Sequence, residues 1–315
     1  MKSLPTLHRA RKALPAFILF AAWLALAAGP ARAASIDLST LVLNGTAAMV
    51  GSDTLRLVPN YNPNNQYSFD TPPAGSAWYA TPLEVASGFT TTFSFQMSSP
   101  TGTPDPYDGS GGDGLAFVIQ KDPAGTAALG RGAGGLGYMY LTDSAALEFD
   151  TYQNQAWYSE PDGNHISLQS RGMDFNVPHE KCSGGALTNA PGAYTDLPGV
   201  TCTADPSLGA TSGLSTRLDG VAHTATILYV PGDFKVYLDS NPTPVLSIAV
   251  DLGQKLQLGS GGTAYVGFTA GDLGSFQNHD ILSWSYGPEV PEPATWMLAG
   301  AALTALGLLQ RKLVR

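Results

Sequence analysis

Phe89-Thr90-Thr91-Thr92-Phe93-Ser94-Phe95-Gln96-Met97 alternates residue by residue, and in an extended chain it puts Phe89, Thr91, Phe93, Phe95 and Met97 on one face. That is the pattern of a strand with one side against a core. The same period of two recurs between about 36 and 286, while no long stretch shows the 3.6-residue apolar repeat of a surface helix. Thr226–Val230 and Phe234–Leu238, joined by Pro231-Gly232-Asp233, read as a hairpin. Leu115-Ala116-Phe117-Val118-Ile119 is apolar throughout, as expected of a strand covered on both faces. Together these stretches predict an all-β antiparallel sandwich.

Composition agrees. The 315 residues include 36 Gly and 23 Pro, and only 13% are charged, against about 25% in ordinary soluble domains. Many short strands joined by turns fit this; a coiled coil, a helical bundle or a charged disordered chain does not. The net charge of −9 hides an uneven distribution: eight of the sixteen basic residues lie in the first 33 and last five positions. Residues 34–290 therefore carry eight basic against twenty-four acidic side chains, which excludes nucleic acid as a partner, since a phosphate backbone needs clustered Lys and Arg.

Both ends read as processing segments. Residues 1–33 have the plan of a signal peptide, with basic residues, the apolar run Ala16–Ala28, then Ala31-Arg32-Ala33 ahead of cleavage by signal peptidase after Ala33 or Ala34. The apolar run is short for a bilayer of ~30 Å, which needs ~20 residues. At the other end, Val290-Pro291-Glu292-Pro293 precedes the apolar stretch Ala294–Leu309 and the basic end Arg311, Lys312, Arg315. This tripartite pattern, over 289–315, closely resembles the PEP-CTERM sorting signal of Gram-negative bacteria. The resemblance implies transient membrane insertion through the hydrophobic helix, recognition by an exosortase, and a product at the cell surface or in the extracellular polysaccharide matrix. A permanent single-pass anchor is the alternative.

Cys182 and Cys202 are the two cysteines, and an exported chain is expected to pair them. Closing that loop contributes ~3 kcal/mol on the chain-entropy account. The surrounding segment 174–215 is rich in Gly and Pro without long alternation, so it reads as an insertion pinned by the disulfide.

Chemistry concentrates in residues 113–165. In Leu147-Glu148-Phe149-Asp150-Thr151-Tyr152-Gln153-Asn154, an extended chain puts Glu148, Asp150, Tyr152 and Asn154 on one face and Leu147, Phe149 and Thr151 on the other. Carboxylates forced onto one face repel unless a cation lies between them. Oxygen donors from Asp150, Asn154 and Glu160, with a backbone carbonyl, suit Ca²⁺, which takes 6–8 oxygens. Adding the imidazole of His165 to Glu148, Asp150 and Glu160 gives an N/O set suited to Mn²⁺ or a similar transition metal ion. A solvated acidic face is the plainer reading of the alternation alone.

Two further motifs decide between these readings: Gly112-Asp113-Gly114-Leu115-Ala116-Phe117-Val118-Ile119 and Gly134-Gly135-Leu136-Gly137-Tyr138. With Gly75–Tyr79, Phe89–Phe95 and Gln277–Tyr286 in this order and spacing, the chain resembles the legume-type (L-type) lectins, most closely their bacterial relatives, over nearly all of 36–286. The resemblance implies a concanavalin A-like jelly-roll sandwich as one domain over 34–288, binding glycan or exopolysaccharide with Ca²⁺ and Mn²⁺. It implies that Asp113, after a cis peptide bond, accepts hydrogen bonds from sugar hydroxyls, and that Gly135 or Gly134 donates a backbone N–H. Asn154 would serve calcium and sugar together, and Tyr152 would offer its ring to the pyranose and its carbonyl to calcium. The loop Gly271–Ser275, with Leu273 and Gly274, matches the segment that tunes monosaccharide choice.

The chain departs from the family pattern where a bridging Asp is usual five residues before the His. That position is Glu160 here, with Asp162 as its competitor. Self-association is left open. An enzyme is not expected: a β-sandwich glycoside hydrolase is the rival class, but Glu148-Phe149-Asp150-Thr151-Tyr152-Gln153 carries an amide where that class needs a proton donor. A structural matrix protein with a decayed sugar site is the third reading.

Overall fold

The computed structural model describes residues 33–60, 71–106, 109, 111–154, 159–178, 180–181 and 205–288. Residues 1–32 of the expected signal peptide, the sorting segment 289–315, and Cys182 and Cys202 with their expected disulfide lie outside the described residues.

Strands in the described residues form two antiparallel sheets. One contains β1 (Ala34–Ile36), β3 (Ala48–Val50), β4 (Thr54–Val58), β7 (Phe89–Gly102), β12 (Ala222–Val230), β13 (Asp233–Leu238), β14 (Leu246–Ile248) and β16 (Ser275–Pro288). Its order is β14-β13-β12-β7-β16-β4-β3, with β1 also paired to β16. The other contains β2 (Val42–Gly45), β5 (Ala74–Trp78), β6 (Leu83–Glu84), β8 (Gly114–Gln120), β9 (Ser144–Asp150), β10 (His165–Gly172), β11 (Ser207–Ala210) and β15 (Thr263–Gly271). Its order is β11-β10-β9-β8-β15-β5-β2, with β6 on β15. This is the jelly-roll sandwich expected from the sequence.

The alternation of β7 becomes its packing. Phe89, Thr91, Phe93, Phe95 and Met97 are buried, and the Phe93 ring meets Phe117, Phe149 and Phe268 of the facing sheet at centroid distances of 5.7, 5.6 and 5.0 Å. Each buried aromatic contributes about 2–3 kcal/mol by leaving water, and such pairs add ~0.5–1.5 kcal/mol. The expected hairpin is β12–β13, with Val230 opposite Asp233 across the Pro231-Gly232 turn. Gly232 sits at φ +93°, a region costly for any residue with a Cβ.

β8 is buried along its whole length because two layers cover it. Leu115, Phe117 and Ile119 face the central core, while Ala116 and Val118 lie under Trp78, Leu136, Tyr138 and Leu141. The 128–141 segment is thus a lid on the outer face of the second sheet.

One expectation changes. Tyr152 and Asn154 do not continue the strand of Glu148 and Asp150. β9 ends at Asp150, whose Oδ1 accepts the Tyr152 N–H at 2.8 Å, while Gln153 N–H turns to Asp105 Oδ2 at 2.7 Å. The carboxylate competes with the ladder for the backbone and terminates it. The described parts of the 174–215 segment pack onto the second sheet. Asn176 and Val177 are buried, and Ser207–Ala210 forms the edge strand β11 on β10.

Candidate metal and sugar site

Four strand ends meet at one edge of the second sheet. Gly114 pairs with Asp150, Gly271 with Gly114, and His165 with Asp150, so the loops before β8, after β9, before β10 and after β15 converge.

Asp113 is 2% exposed and follows a cis peptide bond from Gly112. Its N–H donates to Asp272 Oδ1 (3.1 Å) and Gly271 O (3.2 Å), and its own Oδ2 accepts the Leu273 N–H at 2.9 Å. Its carbonyl accepts from Thr151 N (3.0 Å) and Thr151 Oγ1 (3.1 Å). Asp113 is thereby tied to both the 271–273 loop and the end of β9. Gly112 must be glycine for space: a Cβ there would stand 2.8 Å from Tyr152 Cβ. Gly274, at φ +83°, is exposed, and a Cβ on it would meet nothing within 4 Å, so this loop faces open space beside Asp113.

The turn carrying Gly134 and Gly135 packs against the same loop, with Ala133 N–H donating to Asp272 O at 3.3 Å. The Gly135 N–H donates to Gly132 O at 3.1 Å, so this hydrogen is already committed within the turn.

The acidic residues form a second cluster directly below. Glu148 is buried and accepts from Tyr138 OH, Ser167 Oγ (2.6 Å) and Gln169 Nε2 (3.2 Å). Glu160 is buried and accepts the Asn154 N–H; its carbonyl receives Gln153 Nε2 at 3.3 Å. Asp162 is placed differently. Its two carboxylate oxygens are taken by Asn164 N–H (3.0 Å) and Gly213 N–H (2.8 Å), and its carbonyl faces His165 Nδ1 at 2.9 Å. Of the two competing residues, Glu160 is the one brought to Asp150 and Asn154.

The buried side-chain atoms here without a hydrogen-bond partner among the described residues include Asp150 Oδ2, Asn154 Oδ1 and His165 Nε2. These three are acceptors, or, for the imidazole, a lone pair once Nδ1–H faces a carbonyl. Buried unpaired acceptors are costly, and cations bound here would offset that cost. The donor chemistry fits: hard oxygens from Asp150, Asn154 and Glu160 for Ca²⁺, and an N/O set around His165 for a transition ion.

The titration directions give the same picture. Burial pushes Asp113 up to about 8 and Glu148 up to about 7, with Glu180 adding repulsion at Glu148. Asp150 lies well above its ordinary value through burial and then Glu148, and Glu160 through burial and then Asp150. Burial lowers His165. Without a cation, burial here disfavours the charged forms of Asp113, Glu148, Asp150, Glu160 and His165.

Sequence reasoning missed several participants. Asp105 holds the Gln153 amide, and Asp272, fully buried with Oδ1 3.2 Å from His279 Nδ1, holds Asp113. Asp272 lay within the quoted 271–275 loop, next to Leu273, so the signal was present. Glu180 lies 3.8 Å from His165 Nε2 but sits in the stretch read as insertion.

Comparison with known proteins accords with this geometry. Residues 34–297 match the legume lectin domain, and residues 289–312 match the PEP-CTERM protein-sorting motif. Agglutinin-2 of Cladrastis kentukea is 28% identical, with the match covering 79% of this chain and 77% of that protein. A 2-acetamido-2-deoxy-D-galactose-binding seed lectin of Cytisus scoparius is 29% identical, over 81% of this chain and 93% of the lectin. An L-type lectin-domain receptor kinase of Arabidopsis thaliana is 28% identical over 82% of this chain, which spans 32% of the kinase. Among solved structures, a Bauhinia forficata lectin in complex with GalNAc superposes with a TM-score of 0.56 at 22% identity, covering 81% of this chain and 97% of the lectin. The chain belongs to the legume lectin domain family and carries a PEP-CTERM sorting motif.

Proposed function

We propose that this member of the family is an exported, non-catalytic carbohydrate-binding protein whose glycan recognition depends on Ca²⁺ and a transition ion such as Mn²⁺. It would act at the cell surface or in the extracellular polysaccharide matrix, after signal peptidase and an exosortase have handled its ends. The observation that carries the metal-dependent reading is the set of orphaned buried acceptors, Asp150 Oδ2, Asn154 Oδ1 and His165 Nε2, one loop away from Asp113.

Calcium would be held by Asp150, Asn154, Glu160 and the Tyr152 carbonyl, and the transition ion by Glu148, Asp150, Glu160 and His165. When bound, the ions supply positive charge that lets these buried carboxyls ionise together. The chain's own residues do the recognition. Asp113, fixed by Leu273 N–H and Thr151, presents carboxylate oxygen to sugar hydroxyls. Asn154 presents its amide, Gly134 its backbone N–H, since the Gly135 N–H is bonded to Gly132 O, and Tyr152 an apolar ring, while Leu273 and Gly274 border the sugar and set its choice. A shallow site makes few contacts, so groups already in position avoid an ordering cost of ~0.5–1.5 kcal/mol for each immobilised side chain.

Gln153 supports the non-catalytic reading. It is mostly buried and spends its amide on the Glu160 carbonyl, so the position where a sandwich hydrolase keeps its acid holds no proton to give. The test is glycan-array binding with calcium and manganese, then with chelator. Chelator-sensitive binding is expected. Metal uptake without any glycan signal would favour the matrix protein, and released reducing ends would favour the hydrolase.

A further inference from the structure

We infer that Glu180, on the stem of the 174–215 segment, is a direct ligand of the ion at His165, and that it fills a coordination position otherwise left to water. This rests on the proposal that a divalent ion occupies that site.

Glu180 Oε1 lies 3.8 Å from His165 Nε2, and these atoms together with a Glu148 oxygen fall within 4.8 Å of one another. Ligands at ~2.0–2.3 Å from one ion sit about 3–4.5 Å apart, so the spacing is that of atoms sharing an ion rather than of a hydrogen bond. His165 is fully buried, and its Nδ1 faces the Asp162 carbonyl at 2.9 Å. That contact puts the proton on Nδ1 and turns the Nε2 lone pair toward Glu148 and Glu180. The Nε2 lone pair has no donor, and Gln169 Nε2, which donates to both Glu180 Oε1 (2.8 Å) and Glu148 Oε2 (3.2 Å), holds the two carboxylates beside it.

Glu180 is held there by design of the local chain. Asn176 N–H donates to Leu141 O (2.9 Å), and Asn176 Nδ2 to Gln169 O (3.1 Å) and Ser144 O (3.3 Å), stitching the segment across the ends of β9 and β10. Val177 is buried, and Gln169 Nε2 donates to Glu180 Oε1 at 2.8 Å.

The experiment uses the full chain stripped with chelator, reloaded with Ca²⁺ and titrated with Mn²⁺. Paramagnetic resonance counts bound Mn²⁺, and water-proton relaxation reports water on the ion. The variants are Glu180→Ala, Glu180→Gln and, as a control for the site itself, His165→Gln. We expect Glu180→Ala to weaken Mn²⁺ binding about tenfold or more and to raise the relaxivity of each bound Mn²⁺, because water enters the vacated position. Glu180→Gln should weaken binding with a smaller gain in relaxivity. If the parent chain and His165→Gln bind Mn²⁺ equally, the underlying site is wrong. If His165→Gln loses Mn²⁺ while Glu180→Ala keeps its affinity, or loses affinity with unchanged relaxivity, the site stands and Glu180 is not a ligand. Cooperative melting of metal-free Glu180→Ala at the parent temperature separates either result from misfolding.

Discussion

At the scale of single residues, Asp113 joins the two halves of the site. Its carbonyl holds Thr151 at the end of β9, and its carboxylate is oriented by the Leu273 N–H. Replacing it with Ala removes the acceptor and the bond from Leu273 N–H but leaves the backbone bonds of residue 113 to Gly271 and Thr151. Asp113→Ala is therefore expected to lose sugar affinity about tenfold or more, the worth of a charge-assisted hydrogen bond of ~1.5–3 kcal/mol, while still taking up calcium. Retention on a glycan column and calorimetric calcium uptake check both halves; unchanged retention contradicts the role. The buried carboxyls give a second prediction. In the metal-free chain Glu148 is raised to about 7, so the native state keeps its proton over a range where the unfolded chain, near 4.5, has lost it. Stability from this group is present below about 4.5 and is lost as pH rises through about 7. Metal-free protein should melt at a lower temperature at pH 8 than at pH 5, and Ca²⁺ with Mn²⁺ should remove that slope. Calorimetry across the range would show it, and a melting temperature that rises with pH in the metal-free state would contradict it.

At the scale of elements, strands written in alternating residues were legible because burial of one face is decided locally. Phe93 faces the opposing sheet and Ser94 faces away, bonded to Thr224 at 2.8 Å. Phe93→Ala should cost about 3–5 kcal/mol of unfolding free energy and Ser94→Ala less than about 1.5 kcal/mol, measured by denaturant titration of the metal-loaded protein. Similar losses at both positions would mean the strand does not have one buried and one outward face. What the sequence hid was set by contacts distant along the chain. Alternation carried Tyr152 and Asn154 past Asp150, but the Asp150 carboxylate turns the backbone there. Spacing from the His selected Glu160 but left Asp162 as its competitor, since only the fold brings Gly213 to claim an Asp162 oxygen. β11 has four residues without alternation, and Glu180 reaches His165 only because Asn176 is stitched across two strand ends. The site's acids and imidazole were readable as residue types; their partners were not.

At the scale of the molecule, β16 relates the site to the chain ends. It starts at Ser275, beside the loop that holds Asp113, and runs 14 residues to Pro288, where the sorting segment begins. At about 3.3 Å per residue this places the exit roughly 40 Å from the sugar loops. β1 pairs with the far half of β16, Ala34 opposite Tyr286, so the described chain begins and ends at the end of the sandwich away from Asp113. A chain held in a membrane by its C-terminal helix would therefore project its glycan site outward. The full chain reconstituted in lipid vesicles through its apolar C-terminal stretch should capture a soluble, high-mass polysaccharide with the same stoichiometry as the free chain, because Pro288 lies at the opposite end of β16 from the Leu273–Gly274 loop. Loss of polysaccharide capture on vesicles, with monosaccharide binding intact, would mean that the membrane crowds the site and that the two ends of β16 are not separated as the strand's length requires.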